Sequence, residues 1–186
     1  RFAPVSAETF SNVVVFTSGN DGSSTNAVIG TGAVVPVANF SGSPTSGLRP
    51  LQVTFTDTST GTITNRLWNF GDGGTTNTSA TTVLHTYVNA STNTVSLTVS
   101  GPVGTNTLVR ANYIAATNLP PQLVVSPGSL SFGTVITGQT NSQTFQVVNS
   151  GGLNLSGSAS VALPFRVQSG SPLNIAPGQT GLVSVS

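Results

Sequence analysis

The chain has no cysteine, no methionine and no lysine, and it carries very little charge. Without cysteine there is no disulfide and no thiolate metal site. This does not argue against a secreted protein, because sandwiches of this size can bury a core without covalent staples. Without lysine there is no Lys–Asn isopeptide crosslink. Charged side chains make up 5% of the 186 residues, against about a quarter in ordinary domains. All five basic residues are arginines, and their net charge of +1 leaves no electrostatic footprint for nucleic acid or an anionic membrane surface. No segment reads as a signal peptide or a transmembrane run, and no stretch of about ten residues carries a helical period. Nothing in the composition implies a cofactor.

Threonine, serine and asparagine supply the polarity that charge does not. Threonine and valine favour strands, and 21 glycines and 11 prolines punctuate the chain, so the composition predicts an all-β fold built of sandwiches. Residues 1–32 read as a strand pair: Phe10 to Thr17, a turn over Ser18-Gly19-Asn20-Asp21-Gly22, and a closing strand Ala27–Gly32. Two strands alone cannot bury a core, so this segment needs a partner. Residues 33–117 read as one domain. Leu51, Val53 and Phe55 alternate toward a core, as do Val95, Leu97 and Val99, and Val109–Ala115 is the last strand. Residues 118–122 contain Pro120 and Pro121 and read as a stiff linker. Residues 123–186 read as the beginning of another module.

The densest stretch runs from Leu67 to Tyr87. Trp68 and Phe70 fall on one strand face, and Gly71-Asp72-Gly73-Gly74 then turns the chain. The sole histidine follows in His85-Thr86-Tyr87. Trp68-x-Phe70-Gly71-Asp72-Gly73 with His85-x-Tyr87 resembles the signature of PKD domains, over roughly residues 36 to 117. The resemblance implies an immunoglobulin-like sandwich used as a spacer or adhesion module, with His85 structural.

In the last third, Leu130-x-Phe132-Gly133, Val147-x-Asn149-x-Gly151-Gly152 and Pro177-Gly178-Gln179 stand in order. They resemble the first two thirds of an ASH-type domain, the immunoglobulin-like module of the abnormal-spindle and hydin group. The resemblance implies further pieces beyond Ser186, and these stand at the other end of the chain: Arg1-Phe2-Ala3-Pro4, Phe10, Asn20-Asp21-Gly22 and Gly30-Thr31-Gly32. The chain is therefore expected to be a cyclic permutation of a PKD-plus-ASH pair, cut inside a strand. Its ends could meet within one chain, or residues 1–32 could complete the ASH-like part of the next unit. A third arrangement is a covalent tandem array. The repeating arrangements are favoured, and they make the partner a further copy in a head-to-tail homopolymer. The expected assembly residues are Leu182, Val183, Val185, Phe2, Phe10, Val13, Val15, Val28 and Ile29.

Catalytic signals are sparse. His85 is a potential base, but no Gly-x-Ser-x-Gly elbow accompanies it. The four carboxylates, Glu8, Asp21, Asp57 and Asp72, form no paired acid/base motif. Asp57 and Asp72 are weak calcium candidates, set against the plainer reading that each holds its own turn or strand end. Asn39, Asn77, Asn89 and Asn154 begin glycosylation sequons, and the Thr75–Thr82 stretch reads as a loop able to carry O-glycans. Aromatic residues for stacking sugars are scarce, with Trp68 expected in the core and Tyr87 and Tyr113 in strands. The sequence thus predicts a non-catalytic structural unit of an extracellular microbial filament, stalk or adhesin. The rival class is a glycan- or protein-binding accessory module of a secreted hydrolase or surface protein. Glycans on native material would show as an intact mass above the 18.7 kDa of the sequence; an equal mass would remove them.

Overall fold

A computed structural model describes residues 1–20 and 22–186 and contains strands and no helix among them. Accordingly, no described helix is long and apolar enough to cross a membrane. The chain divides into two compact units, Arg1–Ala116 and Thr117–Ser186.

The first unit opens with a hairpin of β1 (Thr9–Thr17) and β2 (Ser23–Thr31), in register from Thr9↔Thr31 to Thr17↔Ser23. The closing strand starts earlier than expected from Ala27, because Ser23 to Asn26 pair along the whole of β1. Asp21 of the intervening turn lies outside the described residues. The eight strands that follow are β3 (Phe40–Ser43), β4 (Ser46–Leu48), β5 (Leu51–Asp57), β6 (Asn65–Asn69), β7 (Thr75–Thr78), β8 (Thr82–Tyr87), β9 (Ser91–Gly101) and β10 (Gly104–Thr117). They form one sheet of order β3-β5-β8 and another of order β4-β10-β9-β6-β7. Both have an apolar face with period 2, so each covers the other. Leu51, Val53 and Phe55 from β5 meet Val95, Leu97 and Val99 from β9 in a buried core, as the alternation predicts. Trp68 is fully buried there, its ring 5.2 Å from Phe40 and 5.6 Å from Phe55.

Two expectations need correction. The Thr75–Thr82 stretch is not a loop: Thr75–Thr78 forms the edge strand β7, paired Trp68↔Thr76 with β6, and Thr82 opens β8. β-Branched threonines fit a ladder at an exposed sheet edge as readily as a loop. The final strand is also twice as long as Val109–Ala115 suggests, at 14 residues, with a register shift between Arg110 and Ile114. Asn112 sits in that bulge at φ 51°, which an asparagine tolerates.

The second unit contains β11 (Leu123–Ser126), β12 (Gln143–Asn149), β13 (Leu155–Gly157), β14 (Val167–Ser169), β15 (Leu173–Ile175) and β16 (Thr180–Val185). Its larger sheet has the order β11-β12-β16-β14, and its smaller one is β13-β15. Leu130 and Phe132 are in no strand, but both pack on the core formed by Val147, Ile175, Val183 and Val185. Asn149 is fully buried and holds the turn regions together. Its side-chain amide donates to the carbonyls of Leu153 (2.7 Å) and Ile175 (2.9 Å), and its Oδ1 accepts from the backbone N–H of Gly151 (3.0 Å) and Gln122 (3.3 Å). The proline-rich segment is tied to the same place, for Gly152 N–H donates to the Leu119 carbonyl at 3.0 Å.

Replacing Asn149 by leucine keeps the branched side-chain skeleton but strands these backbone groups, so Asn149→Leu should destabilise the second unit by about 3 kcal/mol. Two-probe thermal unfolding checks this: the transition of residues 117–186 should drop while the signal of the sole tryptophan, in the first unit, is unmoved.

Candidate functional site

The motif around Asp72 is a closed network. Phe70 N–H donates to the Gly74 carbonyl at 3.0 Å, Gly71 N–H to Asn69 Oδ1 at 2.9 Å, and Gly74 N–H to Asp72 Oδ1 at 2.9 Å. Gly71 takes φ 86°, and a Cβ there would meet the Thr94 carbonyl oxygen at 2.3 Å, so only glycine fits. The other carboxylate oxygen of Asp72 lies 2.8 Å from His85 Nε2. The His85 ring stacks on Phe70, with centroids 4.0 Å apart at 8°, and the Tyr87 hydroxyl donates to the Phe70 carbonyl at 3.0 Å. Trp68, Phe70, Gly71, Asp72, Gly73, His85 and Tyr87 are thus brought together as a lock between the β6 turn and β8. Among the described residues, Asp72 is the only hydrogen-bond partner of the His85 ring. No serine or threonine hydroxyl among the described residues is hydrogen-bonded to the His85 ring.

Asp57 is elsewhere in this sandwich. It accepts from the Ser59 N–H at 2.8 Å and forms a close ion pair with Arg66, whose Nη1 also donates to the Ser79 carbonyl at 2.9 Å. The two calcium candidates are therefore engaged separately, and no cluster of three or more potential metal ligands occurs among the described residues. Burial opposes the charge on Asp57, but hydrogen bonds from Ser59 and the Arg66 guanidinium hold its carboxyl below the usual aspartate range. Burial likewise opposes the charge on Asp72, and the His85 and Gly74 hydrogen bonds overcome it in the same direction. Burial, and then the Asp72 charge, push the Tyr87 phenol above its usual range. Asn39, Asn77, Asn89 and Asn154 are all exposed.

Two exposed surfaces are rich in apolar side chains. On the β1–β2 hairpin Val13, Val15, Val28 and Ile29 are exposed, and Phe16 reaches 59% exposure. Phe2 packs edge-on against Phe10 at 5.8 Å, and a Cβ on Gly30 would meet its ring at 2.6 Å. In the second unit Leu182 is exposed, whereas Val183 and Val185 point into the core. They form the floor of a groove of about 380 Å³, walled by Leu130, Phe132, Phe145, Ala159, Val161, Phe165 and Val167. Ser160 is its one polar lining residue. Phe145, Phe165 and Val167 were not singled out from sequence. Their signal was alternation in Phe145-Gln146-Val147 and Phe165-Arg166-Val167, which marks inward-facing side chains without saying which of them border an open groove.

Both carboxylates titrate below their unfolded values, so their stabilisation is present above about pH 4 and disappears as pH falls through the folded values. Asp57→Asn and Asp72→Asn should each flatten the acid-induced loss of stability, followed by Trp68 fluorescence from about pH 5 to pH 2. An acid slope identical to the parent would contradict the assignment.

Comparison with known proteins places part of this chain. A search of curated proteins found no match. Among solved structures, the chain is similar to one from a study of the promiscuous specificity of carbohydrate-binding modules of the β-sandwich superfamily, at 23% identity and a TM-score of 0.42. That match covers 81% of this chain and 53% of the other, so the chain spans about half of that structure's length. It is also similar to a Methanosarcina mazei protein solved by NMR, at 32% identity and a TM-score of 0.35, covering 53% of this chain and 66% of that one. Residues 37–112, which contain the Asp72–His85 lock, match the family model of the PKD domain.

Proposed function

We propose that the chain is a non-catalytic structural unit of an extracellular microbial filament, stalk or adhesin, joined head to tail by strand complementation. The observation that carries this reading is a pair of matching deficits. In a seven-stranded immunoglobulin-type sandwich, one sheet has the order A-B-E-D and the other holds C, F and G. β11, β12, β16 and β14 have the A-B-E-D order, and β13 follows B as C does. Strands for F and G are missing from residues 117–186, and the face they would cover is the apolar groove. Residues 1–32 hold two paired strands in a sheet of their own, with exposed valines. The deficits support the resemblance to an ASH-type domain split between the two ends of the chain.

The hairpin of one unit then completes residues 123–186 of the next. A contact between unlike surfaces that does not close on itself propagates into a filament, and adding strands to an open sheet supplies backbone hydrogen bonds as well as apolar burial. The arrangement is the same whether successive units are separate chains or parts of one longer polypeptide. A surface nearly devoid of charge favours close packing of such units. The PKD-type domain, complete in itself, acts as the spacer.

Light scattering and electron microscopy of the purified 186-residue protein test this. The expected result is concentration-dependent growth into linear assemblies. A species that stays at 18.7 kDa at high concentration would overturn the reading and favour an accessory binding module.

A further inference from the structure

We infer that the hairpin inserts one defined face into the groove of a second copy: the face carrying Phe10, Val14, Phe16 and Val28, with Phe2 already seated on it. The inference rests on the strand-complementation reading and assigns its two contacting surfaces. The register pairs Phe10↔Gly30, Asn12↔Val28, Val14↔Asn26 and Phe16↔Ser24, so these residues share one side of the hairpin. The opposite side carries Val13, Val15, Ala27 and Ile29, set among the hydroxyls of Ser11 and Thr25. Both sides expose apolar atoms, and alternation alone does not choose between them.

Three observations choose the first side. Although polar side chains interrupt both sides, it holds both aromatic residues of the hairpin, Phe10 and Phe16, whereas the other has only aliphatic side chains between its hydroxyls. It already binds Phe2, 5.8 Å from Phe10, in the space left by the missing side chain of Gly30. The groove also needs bulk: it is about 380 Å³ in volume and flanked by the Phe132–Phe165 pair at 5.2 Å. Aromatic rings fill such a space better than valines. The occupant follows from complementarity. The groove is uncharged and apolar, and the hairpin face offers Phe2, Phe10, Val14, Phe16 and Val28 among Asn12, Asn26 and Ser24, with Arg1 at one end. β13 is paired on one side only, by β15, so that its other edge can accept β1. A hairpin from a second copy supplies both the missing strands and the covering rings. Phe2 enters with the hairpin as part of the inserted surface.

The test compares Val14→Asp with Val15→Asp, adjacent residues on opposite faces, in the full 186-residue protein. Association is read by light scattering or sedimentation, and folding of the first unit by the fluorescence of Trp68. Val14→Asp should weaken association about a hundredfold or more, because it buries an unpaired carboxylate. Val15→Asp should change it by less than about threefold, as a solvated position allows. The reverse ranking, or loss of association in both, would overturn the face assignment while leaving strand complementation standing. A parent protein that does not associate at all would remove the underlying reading first. Phe2→Ala should weaken association as well; a strengthened association would mean that Phe2 competes with the groove, which would overturn its co-insertion.

Discussion

A β-sheet with one apolar face persists in water only when another layer covers that face. In a chain with 5% charged residues and no disulfide, this burial carries nearly all of the specificity. Residues 37–117 satisfy it internally: two sheets close on Trp68, Phe55, Leu97 and Ile114, all buried. The rest of the chain satisfies it less completely. Val147, Ile175, Val183 and Val185 are the only buried apolar residues in the core of the second unit, while Leu130, Phe132 and Phe145 are half covered. The hairpin at the other end leaves Ile29 73% exposed.

Within the closed sandwich, the polar residues work as fasteners. Asp72, bonded to Gly74 and His85, fixes the turn after β6, and the stacking of His85 on Phe70 carries that order into β8. Asp57 does the same for the opposite sheet through Ser59 and Arg66. Asn149 serves the second unit without any charge, by satisfying four backbone groups at once. Asp72 and Asn149 join segments distant in sequence, which is where a small sandwich without disulfides needs fasteners, whereas Asp57 ties the end of β5 to nearby β6. The lone histidine is part of this lock, bonded to Asp72 and stacked on Phe70.

Much of this was legible in the chain itself. Leu51-Gln52-Val53-Thr54-Phe55 and Val95-Ser96-Leu97-Thr98-Val99 alternate cleanly, and β5 and β9 bury those residues. Trp68 and Phe70 with the Gly71–Gly74 turn marked the core and its lock. The edge strand Thr75–Thr78 was not legible, because it carries no apolar residue and its pairing depends on Trp68 and Leu67 across the ladder. Leu130 and Phe132 show the converse: they alternate like a strand and pack on the core, yet their backbone is in no ladder. Alternation reports which side chains are buried, and strand pairing needs a partner edge besides. That residues 123–186 begin a module was an expectation from the sequence, but the groove was not. Alternation does not say which inward side chains lie under an open face of the sheet β11-β12-β16-β14.

The most direct measurement is isotope-filtered NMR on assemblies grown from a mixture of carbon-13-labelled and unlabelled protein. The account predicts cross-peaks between chains that link the Val14 and Val28 methyl groups of one copy to Phe145 and Val183 of another. Cross-peaks between these residues that arise only within a single chain would contradict it, because the hairpin would then close its own chain and leave nothing to propagate.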